Sequence, residues 1–122
     1  MAVKDYDLFV LNGTLSTTAA PLTYYGQTIN NNPWTVATPN DFRQKIYKAL
    51  ITNTGSSAAT VTISATNGTT TYTLAQISVP AGATESISEE DYSIVATAGY
   101  YFTASISTGS GYINAQAYFS PG

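Results

Sequence analysis

Apolar residues take every second position through most of the stretch from Ile46 to Phe119, with Thr and Ser between them. A period of two is typical of half-buried strands, because successive side chains on a strand point to opposite faces. Gly, Pro and Asn separate the alternating runs at roughly the spacing of strands in a sandwich or barrel. The pattern therefore predicts an all-β fold, either an antiparallel β-sandwich or a jelly-roll-like barrel.

One long strand is expected from Asp41 to Thr52. Strict alternation would place Ile46, Lys48 and Leu50 on one face, and Tyr47, Ala49 and Ile51 on the other. A helical turn capped by Asn40 is the alternative, but the β-branched and aromatic residues that follow favour a strand.

A hairpin is expected around Asn67-Gly68, the strongest short turn signal in the chain. In the following strand Tyr72 and Leu74 share one phase, whereas Ile77 and Val79 share the other. This slip predicts a β-bulge or a bend near Ala75-Gln76.

The chain divides near residue 40. Residues 1–40 are rich in Pro and Asn and show little alternation, apart from Leu8-Phe9-Val10-Leu11, which is expected to end at an Asn12-Gly13 turn. We expect residues 1–40 to form an extended N-terminal arm with short strands, and residues 41–122 to form the β-sandwich domain.

Composition argues against several classes of partner. Only 9% of the 122 residues are charged and the net charge is −3, which disfavours nucleic-acid binding. No apolar run approaches the roughly 20 residues that span a bilayer, so no membrane association is expected. The first residues lack a long apolar segment of the signal-peptide type, which suggests synthesis in the cytoplasm.

Residues that commonly carry catalysis are scarce. The chain has no His and no Cys, which removes the usual general base, the common nucleophile arrangements and thiolate metal sites. The acidic run Glu89-Glu90-Asp91 lacks the spacing of a calcium loop, and we expect a solvated turn there. The sequence predicts a protein that is not an enzyme and has no cofactor or metal.

Aromatic residues are more informative, since the chain has ten Tyr and one Trp. Tyr101, Tyr112 and Tyr118 fall on the polar faces of the last two expected strands and would form a stripe if those strands pair. This face could pack against other parts of the fold, form an inter-subunit interface, or, with Trp34, stack on carbohydrate. Arg43, Lys45 and Lys48, three of the four basic residues, indicate either a solvated edge or a patch that docks on an acidic partner.

Three segments carry a resemblance to a known family. They are Leu50-Ile51-Thr52-Asn53-Thr54-Gly55-Ser56-Ser57-Ala58-Ala59-Thr60-Val61-Thr62, then Ile77-Ser78-Val79-Pro80-Ala81-Gly82-Ala83-Thr84, and Val95-Ala96-Thr97-Ala98-Gly99-Tyr100-Tyr101. With the alternating last strand, they resemble small β-rich structural proteins of tailed-phage virions. Tyr100 departs from the pattern, since an acidic residue is frequent there. Residues 1–40 lie outside the resemblance.

The resemblance implies a non-enzymatic virion protein, synthesised in the host cytoplasm. We favour capsid decoration, in which a symmetric homo-oligomer bridges neighbouring subunits of the major capsid protein. We expect a trimer at a local three-fold axis. There are two alternatives. The protein could bind another virion protein in a tail or fibre, or it could be a carbohydrate-binding module. The expected interface residues are Phe9, Leu11, Tyr24, Tyr25, Trp34, Arg43, Lys45, Tyr101, Tyr112 and Tyr118.

Overall fold

The computed structural model describes residues 7–29 and 32–122, and it describes the side chains of these residues except those of 25–29 and 32–34. Within these ranges the chain forms strands and no helix, which confirms the all-β prediction. The strands are β1 Phe9–Leu15, β2 Ala20–Pro21, β3 Thr23–Ile29, β4 Asn32–Thr35, β5 Phe42–Asn53, β6 Ala59–Thr66, β7 Thr71–Val79, β8 Thr84–Ser88, β9 Val95–Ala96, β10 Tyr101–Ile106 and β11 Gly111–Pro121.

The described strands form two antiparallel sheets that pack face to face. The larger sheet has the order β4-β3-β1-β11-β5-β8, with β9 also paired to β5, and the smaller sheet has the order β2-β10-β6-β7. Consecutive strands repeatedly change sheet, as at β1–β2, β5–β6, β7–β8 and β10–β11. This winding of one chain around two sheets is that of a jelly roll, and the predicted antiparallel β-sandwich is confirmed.

The core lies between the two sheets. Each inward position there removes apolar surface from water, worth about 1.5–3 kcal/mol for a large aliphatic or aromatic side chain. The larger fully buried side chains include Phe102, Leu11, Leu15, Leu22, Ile46, Ile51, Ile63, Ile106 and Ile113.

Leu11, Leu15 and Leu22 are part of this core, which corrects the expectation of an arm separate from a sandwich that begins at residue 41. β1 pairs with β11 along its whole length, from Phe9 opposite Ala117 to Leu15 opposite Gly111. The Asn12-Gly13 turn prediction is also wrong, because both residues lie inside β1. Glycine fits there because a Cβ on Gly13 would come within 2.7 Å of Leu22 Cδ2.

The long strand expected from Asp41 to Thr52 is β5, but its face assignment changes. Where β5 pairs with β11, Lys48 lies opposite Gln116 and Ile46 lies opposite Ala117. Tyr47, between them, is therefore an additional residue in a bulge. Ile46 and Ala49 consequently both face the core.

The phase slip in β7 is a bulge, as predicted. Ile63 pairs with Ala75 and Ser64 pairs with Thr73, which leaves Leu74 as the additional residue. The expected hairpin connects β6 to β7, and its Asn67 Oδ1 accepts the N–H groups of Thr69 at 2.9 Å and Thr70 at 2.7 Å.

Candidate functional site: the outer face of the larger sheet

The solvent side of β1, β11, β5 and β8 forms a continuous surface, here named the outer face. Its side chains stand in cross-strand rows, one running Asn12, Asn114, Leu50 and Ser86, and the next running Thr14, Tyr112, Thr52 and Thr84. Gln116 and Lys48 form a further cross-strand pair beside the first row. Strands about 4.8 Å apart make this surface about 15 Å wide.

Two large side chains project from the outer face. Leu50 is 54% exposed and Tyr112 is 58% exposed. They are diagonal neighbours on paired strands, a relation that places such residues about 7–8 Å apart. A leucine and a tyrosine exposed side by side among Thr, Ser and Asn give this surface an apolar centre with a polar surround, as in protein interfaces.

Two shallow grooves flank Asn114. One, of about 380 Å³, is lined by Asn12, Gly13, Thr14, Thr23, Tyr112, Ile113 and Asn114. The other, of about 250 Å³, is lined by Lys48, Ala49, Leu50, Ser86, Asn114 and Gln116. Their linings offer amide and hydroxyl hydrogen bonds and apolar contact, with Lys48 as the charged group.

The acidic corner Glu89-Glu90-Asp91 lies at one end of the outer face. It lines a depression of about 260 Å³ together with Tyr47, Lys48 and residues 86–88. The same corner approaches Lys45, since Glu89 and Lys45 line one small groove. Three carboxylates next to the basic residues of β5 reduce the positive potential that docking on an acidic partner requires.

Two predicted interface residues are buried. Leu11 is 1% exposed because it lies opposite Ala115 in the middle of the larger sheet, facing the core. Tyr118, expected beside Tyr112 on an exposed stripe, is 3% exposed, and its hydroxyl donates to Glu89 Oε2 at 2.7 Å. The segment after β8 thus covers this end of the outer face. Neither residue presents a surface to a partner.

The predicted tyrosine stripe does not form. Tyr101 pairs with Thr66 in the smaller sheet, whereas Tyr112 pairs with Thr52 in the larger one. β10 and β11 are consecutive in the chain but belong to opposite sheets, so their outward faces point in different directions. Of the three tyrosines, Tyr112 alone belongs to the outer face.

Phe9 and Tyr24 belong to an aromatic cluster at one end of the sandwich. The ring centroid of Phe9 lies 5.0 Å from that of Phe119 and 6.2 Å from that of Tyr24. Phe42 lies 6.4 Å from Phe119 and is 40% exposed. Phe9 and Tyr24 are half-buried, so this cluster mainly closes the end of the core.

The remaining predicted residues are dispersed. Arg43 is exposed and Lys45 is half-buried, both at the start of β5. Tyr25 and Trp34 lie in β3 and β4, and their side chains are outside the described part of the structure. Leu50, Asn114 and Gln116 also belong to the outer face but were not among the predicted interface residues. Asn114 and Gln116 follow Tyr112 on the same face of β11, whereas Leu50 lies beside Tyr112 only because β5 pairs with β11.

A second exposed tyrosine lies on the smaller sheet. Tyr72 is 57% exposed, and its ring centroid is 5.7 Å from that of Tyr100. Burial, and then the hydrogen bond and charge repulsion from Tyr72, raise the pKa of Tyr100 above its usual value.

In the described residues no group of acidic side chains is arranged to hold a metal ion. No helix there is long and apolar enough to cross a membrane. No protein-family model and no curated protein matches this chain.

Proposed function

We propose that this chain is a non-enzymatic structural protein of a virion, and that it decorates the assembled capsid through the outer face of its larger sheet. The observation that carries the proposal is the exposed pair Leu50 and Tyr112 on a nearly uncharged surface. Large apolar and aromatic side chains that are exposed to solvent lower solubility. Where such side chains are contiguous, they mark interaction sites. The resemblance to virion structural proteins supplies the class of partner, the major capsid protein.

The chemistry of the described side chains supports binding more than catalysis. The outer-face grooves are shallow and lined by amides, hydroxyls and one ammonium group. A hydrolytic site would need a positioned base, or two carboxylates across a cleft. The acidic corner gathers its carboxylates in one turn, beside the basic residues of β5.

The size of the outer face favours a symmetric oligomer. Four strands with about six residues each give a planar area of about 300 Å², well below the roughly 800 Å² per partner of a standard interface. Three copies around a three-fold axis would present about 900 Å² together, and linked sites gain affinity through effective concentration. We therefore favour a trimer that binds the assembled lattice and stabilises it by mass action.

The test is binding to a capsid lattice assembled from the major capsid protein of the same genome, measured by co-sedimentation. Tyr112→Ser is compared with Tyr72→Ser, because both tyrosines are exposed to nearly the same extent, 58% and 57%, but on different sheets. Loss of an interface hot spot costs at least about 2 kcal/mol, so Tyr112→Ser should weaken binding about 30-fold. Tyr72→Ser should bind as the unmodified protein does. Equal effects of the two substitutions would refute the assignment of the outer face.

A carbohydrate-binding role is the second candidate, and the groove between β1 and β11 favours it. Tyr112 beside Asn12, Asn114 and Thr14 combines an aromatic ring with amides and hydroxyls, which suit sugar rings and their hydroxyl groups. Retardation on a polysaccharide affinity gel that Tyr112→Ser abolishes would favour this role over decoration. A tail or fibre role would instead appear as binding to tail structures and not to the capsid lattice.

A further inference from the structure

The two sheets end in strand edges that differ in how they are protected against pairing with another chain. Free edges expose unpaired N–H and C=O groups, and proteins usually blunt them with charges, proline, bulges or short length. Among the described strands, the larger sheet ends at β4 on one side and at β8 and β9 on the other, and the smaller sheet ends at β2 and β7.

Most of these edges carry such protection. β4 contains Pro33, and β2 is two residues long and contains Pro21. β8 is five residues long, contains Glu85, and is followed at once by the acidic corner. β9 is only two residues long.

β7 differs from all of them. It is nine residues long, with the sequence Thr-Tyr-Thr-Leu-Ala-Gln-Ile-Ser-Val, and it contains neither a charged residue nor a proline. The bulge at Leu74 protects only its first half. The second half, Ala75 to Val79, pairs regularly with β6 on one side and has no partner strand on the other among the described residues.

We propose that this edge, from Ala75 to Val79, pairs antiparallel with the same edge of a second copy of the chain. The contact would join two four-stranded sheets into one continuous sheet across a two-fold axis. An antiparallel strand pair is self-complementary, so each copy supplies the donors and acceptors that the other needs.

A second copy fits this edge for two reasons. It carries an edge of the same length that is also free of charge, so no like charges meet in any register. Gln76 and Ser78 are the exposed side chains of the segment, and either can hydrogen bond to its symmetry mate. Ala75, Ile77 and Val79 are already buried in the core and would remain there.

The β7 contact is independent of the proposed capsid contact. The β7 edge belongs to the smaller sheet, whereas the proposed capsid contact uses the outer face of the larger one. A two-fold contact through β7 would by itself give a dimer, and would join two trimers if the three-fold contact also forms.

Cysteine cross-linking tests the contact directly, because the chain has no cysteine of its own. Three samples cover the possible pairing registers. Gln76→Cys reports a register centred on residue 76, Ser78→Cys reports one centred on residue 78, and an equimolar mixture of the two variants reports one centred on residue 77. Under mild oxidation, one of these samples should give at least a five-fold higher yield of disulfide dimer than Ser86→Cys, the exposed control on the β8 edge. Equal yields in all samples would overturn the proposal.

Light scattering gives an independent readout in solution. The double variant Gln76→Lys/Ser78→Lys places positive charges on both copies at the edge, and it should halve the molecular mass measured for the unmodified protein. The matched variant Thr84→Lys/Ser86→Lys on β8 should leave the mass unchanged, and circular dichroism checks that both variants fold. A mass that the β7 variant does not lower, or an unmodified protein that is monomeric at millimolar concentration, would refute the pairing.

Discussion

The side chain of Asn53 ties the two sheets together at one end of the sandwich. It is completely buried at the end of β5, and its Nδ2 donates to the carbonyl oxygens of Ser57 at 2.8 Å and of Val79 at 3.1 Å. Its Oδ1 accepts the N–H of Gly55 at 2.9 Å. One amide thus holds the β5–β6 turn and the end of β7 in the opposite sheet.

Replacing this amide by a carboxylate of the same shape should be severe. In Asn53→Asp, the Ser57 and Val79 carbonyl oxygens lose their donor and instead face a buried negative charge. The Gly55 N–H remains as a donor to this carboxylate, but a buried charge whose other partners repel it costs about 3–5 kcal/mol, a large part of the 5–15 kcal/mol that stabilises a typical domain. With a urea m-value of about 2 kcal/mol/M, a loss of about 4 kcal/mol lowers the unfolding midpoint by about 2 M.

The assay is urea unfolding followed by fluorescence or circular dichroism at several pH values. Burial should raise the pKa of the introduced carboxyl above its unfolded value of about 4. The protonated form is then favoured in the folded state, so the cost should be smallest below about pH 4 and should grow as the pH rises through the folded pKa.

Asn114→Asp is the matched control, since Asn114 is exposed on the outer face. A surface change of this kind should alter stability by no more than about 0.5 kcal/mol. If the two substitutions lowered the midpoint equally, or if the cost of Asn53→Asp did not depend on pH, the role assigned to the amide would be refuted.

Further predictions concern packing and titration. Gly111→Ala would drive its Cβ into a carbonyl oxygen of the neighbouring strand β5, whereas the new Cβ of Gly13→Ala would meet side-chain methyl groups, of Leu22 at 2.7 Å and of Ile113 at 3.2 Å. Denaturation should show a loss of about 3 kcal/mol for the first and about 1 kcal/mol for the second, and equal losses would count against the packing described. Tyr118→Phe removes a hydrogen bond to the acidic corner and should cost about 1–2 kcal/mol in urea unfolding, so an unchanged midpoint would contradict that contact. Because the pKa of Tyr100 is raised in the folded state, folding stability should fall as the pH rises past the usual tyrosine pKa of about 10. Tyr72→Phe should lower the pKa of Tyr100, measured by alkaline absorbance titration. A pKa that does not move would contradict the pairing of these two rings.

Much of the strand layout was predictable because its signals are local. The phase slip in β7 can be detected from the sequence, because Tyr72 and Leu74 precede it and Ile77 and Val79 follow it within one strand. The bulge at Tyr47 cannot be detected from the sequence. Apolar and aromatic residues lie on both sides of it, and they are compatible with either assignment of the core-facing positions. Its position decides that Leu50 faces solvent while Ala49 and Ile51 face the core.

The candidate site was less predictable because it is built from strands that are distant in the chain. Tyr112 was identified from its outward phase, but Leu50 becomes its neighbour only through the pairing of β11 with β5. Leu11 is buried because β1 pairs with β11 in the middle of a sheet, and the local composition of residues 1–40 gives no sign of that contact. The same limit applies to Asn53, whose partner Val79 belongs to the other sheet.

The proposed capsid decoration can be measured as quantitative binding of the chain to assembled and to unassembled major capsid protein of the same genome. If the chain decorates capsids as proposed, the unmodified protein should bind the assembled lattice saturably and bind the unassembled capsid protein at least about 100-fold more weakly, because only a lattice would engage several outer faces at once. Failure to bind the lattice, or equal affinity for the two forms, would contradict it.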